Sequence, residues 1–126
     1  MEKREAPLAG LRILVAEDNV FAAMDVERVL EDCGCETVGP AATVGQALRL
    51  ARNERLDGAL LDVNLRDEVV FPVADELVRR RVRVIFITGY QNGYPFPRHF
   101  DGFARLLKPY PEHQLKRLMT TTFGRA

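Results

Sequence analysis

Gly58-Ala-Leu-Leu-Asp62-Val-Asn64-Leu65 is the stretch on which the fold turns. Its apolar run is short and delivers one carboxylate, Asp62, just before the chain enters a polar loop. Such a run reads as a strand buried on both faces, as in a parallel sheet. In open parallel sheets ligands collect beyond the carboxyl ends of the strands, which puts Asp62 where chemistry would occur. Three other apolar runs end in the same way. Leu11 to Ala16 leads into Glu17-Asp18, Val82 to Ile87 into Thr88-Gly89, and Phe103 to Leu107 into Lys108-Pro109.

Helical patterns separate these runs. Asn19 is placed to cap a helix whose buried side is Ala23, Val26, Leu30 and Cys33, with Gly34 at the left-handed position after its end. A second strand, Glu36 to Gly39, is predicted to stop at Pro40. Thr43-Val-Gly-Gln46 then reads as a capping box, followed by a single apolar stripe of Val44, Ala47, Leu48 and Ala51. The third strand spans 57 to 62 and gives way to a loop over 64–68. Pro72 suits the first turn of a helix buried through Val73, Ala74, Leu77 and Val78. A last helix opens at Pro111-Glu112 and turns Leu115, Leu118 and Met119 inward.

The alternation breaks once, over 91–101, where Gly93, Pro95 and Pro97 interrupt the chain. An interior proline costs a helix about 3 kcal/mol, so no regular helix is expected there. The predicted fold class is α/β, a flavodoxin-like doubly wound five-stranded parallel sheet of order 2-1-3-4-5. Its fourth helix should be missing or irregular.

The 126 residues suffice for one domain around one core. Residues 1–10 read as a charged lead-in, and no output domain is expected after residue 126. Hydrophobic residues make up 47% of the chain, yet no apolar run approaches the ~20 residues that span a bilayer. The start lacks the apolar segment of a secretory signal, so a cytoplasmic protein is expected. Eighteen basic residues balance eighteen acidic ones, which removes the general electrostatic case for nucleic-acid binding. The run Arg79-Arg80-Arg81, with Arg83 beyond it, reads as cations that complement a helix dipole and face water. Two cysteines, Cys33 and Cys35, and two histidines argue against zinc, and free thiols fit a reducing compartment.

The order 2-1-3-4-5 would gather Glu17, Asp18, Asp62, Thr88 and Lys108 at one rim. Crowded carboxylates raise one another's pKa, and a divalent cation removes the conflict. Oxygen donors alone select Mg²⁺. With the metal, Asp62 becomes a nucleophile that can form an aspartyl phosphate. Lys108 would neutralise phosphoryl oxygens, Thr88 would donate its hydroxyl, and Gly89 would leave room for its own N–H to approach.

Glu17-Asp18, Asp62 with Asn64 two residues on, Thr88-Gly89 and Lys108-Pro109 resemble the receiver domain of two-component response regulators over nearly the whole chain. The resemblance implies that Glu17, Asp18, Asp62 and the backbone carbonyl of Asn64 hold Mg²⁺. It implies a phosphoryl donor on a sensor histidine kinase or phosphotransfer protein, and a cis peptide bond between Lys108 and Pro109. Phe86, Thr88, Gly89 and Tyr90 resemble the Phe-Ala-Thr-Gly-Tyr motif of the stand-alone subgroup nicknamed FAT GUY, whose fourth helix is missing or disordered. Ile87 replaces that motif's alanine.

Two departures from the family pattern bear on function. Glu17 stands where Asp is commoner, and Arg105 occupies the place of an aromatic that swings inward on phosphorylation in many receivers. Tyr90 and Tyr94 are the candidates to move in its stead. The expected function is a stand-alone, Mg-dependent phosphorylation switch with slow autodephosphorylation, signalling by protein contact or phosphorelay to an unidentified downstream protein. Neither nucleic acid nor a membrane is an expected partner. A monomer is expected, because the face that includes the fourth helix is broken. Two alternatives stand beside this reading. One is a receiver-like binding module that takes no phosphate. The other is an Asp-nucleophile phosphatase, against which Asn64 counts, since such enzymes want an acid there.

Overall fold

A computed structural model describes residues 6–89 and 95–125. In chain order these residues form β1 (Arg12–Ala16), α1 (Val20–Asp32), β2 (Glu36–Ala41), α2 (Val44–Asn53) and β3 (Gly58–Asp62). There follow β4 (Asn64–Leu65), β5 (Glu68–Val69), α3 (Phe71–Arg79), β6 (Arg83–Thr88), a 3₁₀ turn at Arg98–Phe100, β7 (Ala104–Leu107) and α4 (Glu112–Phe123). Five strands pair in the order β2-β1-β3-β6-β7, every pairing parallel, which is the predicted doubly wound order. The short β4 and β5 form a separate antiparallel hairpin.

Successive side chains of a strand point to opposite faces, so the strands feed two cores. Leu14, Ala59, Leu61, Val84 and Phe86 pack toward α2 and α3. Ile13, Val15, Leu60, Ile85 and Leu106 pack toward α1 and α4. All five residues of β3 are buried, as a strand covered on both faces requires. Gly58 opens that strand where the ring of Phe123 comes so close that a Cβ would lie 2.7 Å from it.

The helix starts follow their caps. Asn19 Oδ1 accepts the Ala22 amide at 2.9 Å, and Thr43 Oγ1 accepts the Gln46 amide at 3.1 Å. Gln46 reaches back to the Ala42 amide, one residue short of the reciprocal partner of a standard capping box. Gly34 adopts the left-handed conformation after α1, with φ of 80°.

Two expectations are corrected. Pro40 does not stop the second strand, which continues to Ala41. β2 lies at the sheet edge, where a missing N–H costs less than in a central strand, and the ladder absorbs a register shift between Leu14 and Ala16. The loop after Asp62 is not featureless but a two-residue hairpin. Arg66 and Asp67 both take positive φ, 48° and 70°, as its tight turn demands. Neither is the glycine or asparagine that usually announces such a turn.

Between β6 and β7, the described residues hold no α-helix, as expected. Aromatic packing fills that place. Phe96 and Phe100 pack against Phe71 and Phe86 with ring centroids 5.1–5.6 Å apart, and Phe103 adjoins Phe100 at 5.2 Å. Phe100 is fully buried. Tyr90 and Tyr94, the candidate moving aromatics, lie outside the described residues.

Candidate functional site

Four strand ends deliver the site. β1 ends just before Glu17-Asp18, β3 ends on Asp62, β6 ends on Thr88, and Lys108 follows β7. Because the strands run parallel and in adjacent order, all of these residues emerge at one rim. Carboxylate oxygens of Glu17, Asp18 and Asp62 lie within 4.8 Å of one another. Lys108 Nζ donates to Asp62 Oδ2 at 2.8 Å and to Glu17 Oε1 at 3.1 Å. The Lys108 backbone amide donates to the Thr88 carbonyl at 2.8 Å, tying the last two strand ends together. The Lys108–Pro109 peptide bond is cis, as the resemblance implied.

Backbone donors orient the carboxylates. The Asn64 amide donates to Asp62 Oδ1 at 3.2 Å and the Asn19 amide to Glu17 Oε2 at 3.0 Å. The Arg66 amide, presented by the β4–β5 hairpin, reaches Asp18 Oδ2 at 2.8 Å. Sequence reasoning missed these roles of Asn19 and Arg66, because a backbone amide leaves no mark in residue type. Thr88 Oγ1 makes a long 3.4 Å contact with the Gly89 carbonyl, and both residues are partly exposed at the rim.

Charge crowding and burial set the electrostatics. Glu17 is only 5% exposed. Burial, reinforced by the neighbouring Asp62 charge, pushes its carboxyl up to about 7, against the pull of the Asn19 amide and Lys108. Burial also works against the Lys108 charge, but bonding to Asp62 and Glu17 prevails and raises its pKa. The ammonium therefore holds its proton and supplies one positive charge to three carboxyl groups.

Excess negative charge on hard oxygen donors, with no histidine or cysteine in the cluster, suits Mg²⁺ rather than a softer metal. The side-chain oxygen of Asn64, two residues after Asp62, is also buried without a hydrogen-bond partner. The residues fit the ion.

Beside the pocket, α1 presents Val20, Phe21 and Met24 to solvent, Phe21 being 77% exposed. A groove of about 430 Å³ runs between α1 and the segment from Lys108 to Leu115.

A doubly wound sheet with an acid cluster and a lysine at its carboxyl rim defines the receiver class of signalling modules. The family model of the response regulator receiver domain matches residues 13–119, and the chain belongs to that family. It is 37% identical over 101 residues to the phyllosphere-induced regulator PhyR of Methylorubrum extorquens, a match covering 78% of this chain and 38% of PhyR. Among solved structures, the receiver domain of the sensor histidine kinase PA1611 from Pseudomonas aeruginosa superposes with a TM-score of 0.79 at 28% identity. That match covers 93% of this chain and all of the other, which carries a magnesium ion coordinated in its active site cleft. SdrG from Sphingomonas melonis is similar at a TM-score of 0.78 and 33% identity, over 90% of this chain and 95% of its own. The chain spans half or less of the length of the curated relatives it matches. No helix among the described residues is long and apolar enough to cross a membrane.

Proposed function

We propose that this receiver domain is a phosphorylation switch in which Asp62 accepts a phosphoryl group from a phosphohistidine on a partner protein. The observation that carries this reading is the Lys108 ammonium, bonded to Asp62 and Glu17 beside the third carboxylate of Asp18. Glu17, Asp18, Asp62 and the backbone carbonyl of Asn64 would hold Mg²⁺. Once bound, the ion offsets negative charge on the phosphoryl oxygens.

The chain's own groups do the rest. An Asp62 oxygen forms the new P–O bond while the donor's P–N bond breaks, and the electron pair of that bond stays on the imidazole nitrogen. Lys108 stabilises the charge spread over the transferring group. Thr88 donates its hydroxyl to a phosphoryl oxygen, and the Gly89 N–H approaches another. The exposed apolar side of α1, with Phe21 at its centre, gives the donor protein a surface to dock on.

A phosphoryl group adds about −1.5 to −2 charges at the rim. Drawing Thr88 and Gly89 toward it displaces the segment that follows, which passes the signal by protein contact or onward phosphotransfer. The protein acts as a monomer.

Treatment with acetyl phosphate and Mg²⁺, followed by peptide mapping, is expected to place one label on Asp62. The label should vanish in Asp62→Asn and when Mg²⁺ is chelated. Labelling that persists in Asp62→Asn overturns the assignment. A second reading, a binding module that takes no phosphate, is favoured by one feature: both Glu17 oxygens are already engaged, by Lys108 and the Asn19 amide. A wild-type protein that neither labels nor binds Mg²⁺ selects that reading.

A further inference from the structure

The basic run after α3 does not behave as one solvated patch. Arg79 pairs with Glu76, and Arg80 donates to the carbonyls of Ala51 and Glu54. Those two arginines serve the fold. Arg81 and Arg83 do something else: they border an open groove of about 520 Å³ at the end of β6 and β7 opposite the phosphoacceptor.

The groove has an apolar floor, with Val82, Val84 and Phe103 at the strand starts and Val78 and Leu118 on either side. Val78, expected on the buried face of α3, is instead 43% exposed; only Val73, Ala74 and Leu77 of that helix are buried. Among the described residues, Arg81 and Arg83 are the only charged ones that line the groove, and no carboxylate does. The chain as a whole is neutral, so this is segregated charge. A smaller cavity sharing Leu118 and Thr121 continues the trend, its charged residues being Arg105 and Arg117.

Arg81 takes φ of 65° just past the helix end, a position that glycine fills without strain. Its backbone amide donates to the Val78 carbonyl at 2.9 Å, but its side chain makes no hydrogen bond or ion pair with another described residue. Arg83 spends one donor on the Thr122 carbonyl, at 3.3 Å. A guanidinium has five N–H donors, so both remain able to grip a carboxylate.

We infer that this groove docks an acidic amphipathic segment of a partner protein, with apolar side chains on Val82, Val84 and Phe103 and carboxylates on Arg81 and Arg83. An apolar floor between two arginines suits a polypeptide better than a nucleic-acid backbone, which would want cations without the oily trough. The inference is independent of the phosphoryl chemistry, since it uses the other end of the strands.

The test is an amide-resolved NMR titration of the full chain with a short helical peptide bearing leucines on one face and glutamates on the other. A matching lysine peptide and a single-stranded oligonucleotide serve as comparisons. The glutamate peptide should shift the amides of Val82, Val84, Phe103 and Thr122, and raised salt should weaken it. Arg81→Gly should raise the melting temperature by relieving the backbone and yet bind severalfold more weakly. Arg83→Glu combined with Arg81→Gly should bind at least tenfold more weakly. Equal binding of the lysine peptide or the oligonucleotide at these residues overturns the inference. So do shifts confined to another surface, unchanged affinity in Arg81→Gly, or a groove closed by self-association of the chain.

Discussion

The carboxyl rim of the sheet and residues 95–103 are held by opposite means. At the rim, Glu17, Asp18, Asp62 and Lys108 satisfy one another through charge and a few backbone amides. Across 95–103, where a helix would ordinarily cover the sheet, phenylalanine rings do the work, and Arg105 lays its guanidinium 3.7 Å from the centre of the Phe96 ring. Polar chemistry needs particular atoms at particular strand ends, whereas covering a sheet needs only apolar volume. The second task can therefore be met without a helix at all.

The sharpest contrast is expected from removing the cation at the rim. Lys108→Ala should slow acetyl phosphate labelling of Asp62 by about 10²–10³-fold, because a preorganised charge aimed at the transferring group is lost. Phe100→Ala strikes the other region. A fully buried ring replaced by a methyl should cost about 3–5 kcal/mol in a urea titration. Labelling of the folded fraction should continue, and a labelling loss as large as that of Lys108→Ala would show that the two regions are not separable.

A smaller effect should appear with pH. Glu17 titrates near 7 in the folded protein against 4.5 ordinarily, so the folded chain binds the extra proton between those values. Without metal, its contribution to stability is greatest below about pH 4.5 and is lost as pH rises through 7. Mg²⁺ binding prefers the ionised carboxylate, so affinity should climb roughly tenfold from pH 6 to 8 by calorimetry. Glu17→Gln should flatten that rise and make the metal-free protein more stable at pH 8. An unchanged slope in Glu17→Gln would shift the responsibility to another acid. The smallest effect belongs to Arg105→Ala, worth about 0.5–1 kcal/mol for an exposed cation on an aromatic face. It should quicken amide exchange around Phe96 and Phe100 while leaving labelling intact.

Much of the site was legible because each residue sits at the end of an apolar run and the parallel order brings such ends together. Asp62, Glu17, Asp18, Thr88 and Lys108 needed only those runs and the order in which they pair. That the described residues between β6 and β7 form no α-helix was legible too, since proline disfavours one locally. What stood outside the sequence were contacts made by groups common to every residue. The Arg66 amide on Asp18 depends on a hairpin whose turn residues carry no turn signature, and the fate of Pro40 depends on β2 being an edge.

Residue types by themselves determined which side chains could make up the proposed phosphoryl-transfer site, where the helices start, and where one is disfavoured, because those are matters of local geometry and donor atoms. Tertiary structure alone decided that Glu17 is buried enough to titrate near neutrality, that five rings pack where a helix would ordinarily cover the sheet, and that the Arg81 side chain pairs with no other described residue beside an apolar trough while those of Arg79 and Arg80 do. Each of those outcomes depends on what distant parts of the chain bring alongside, and no window along the sequence contains it.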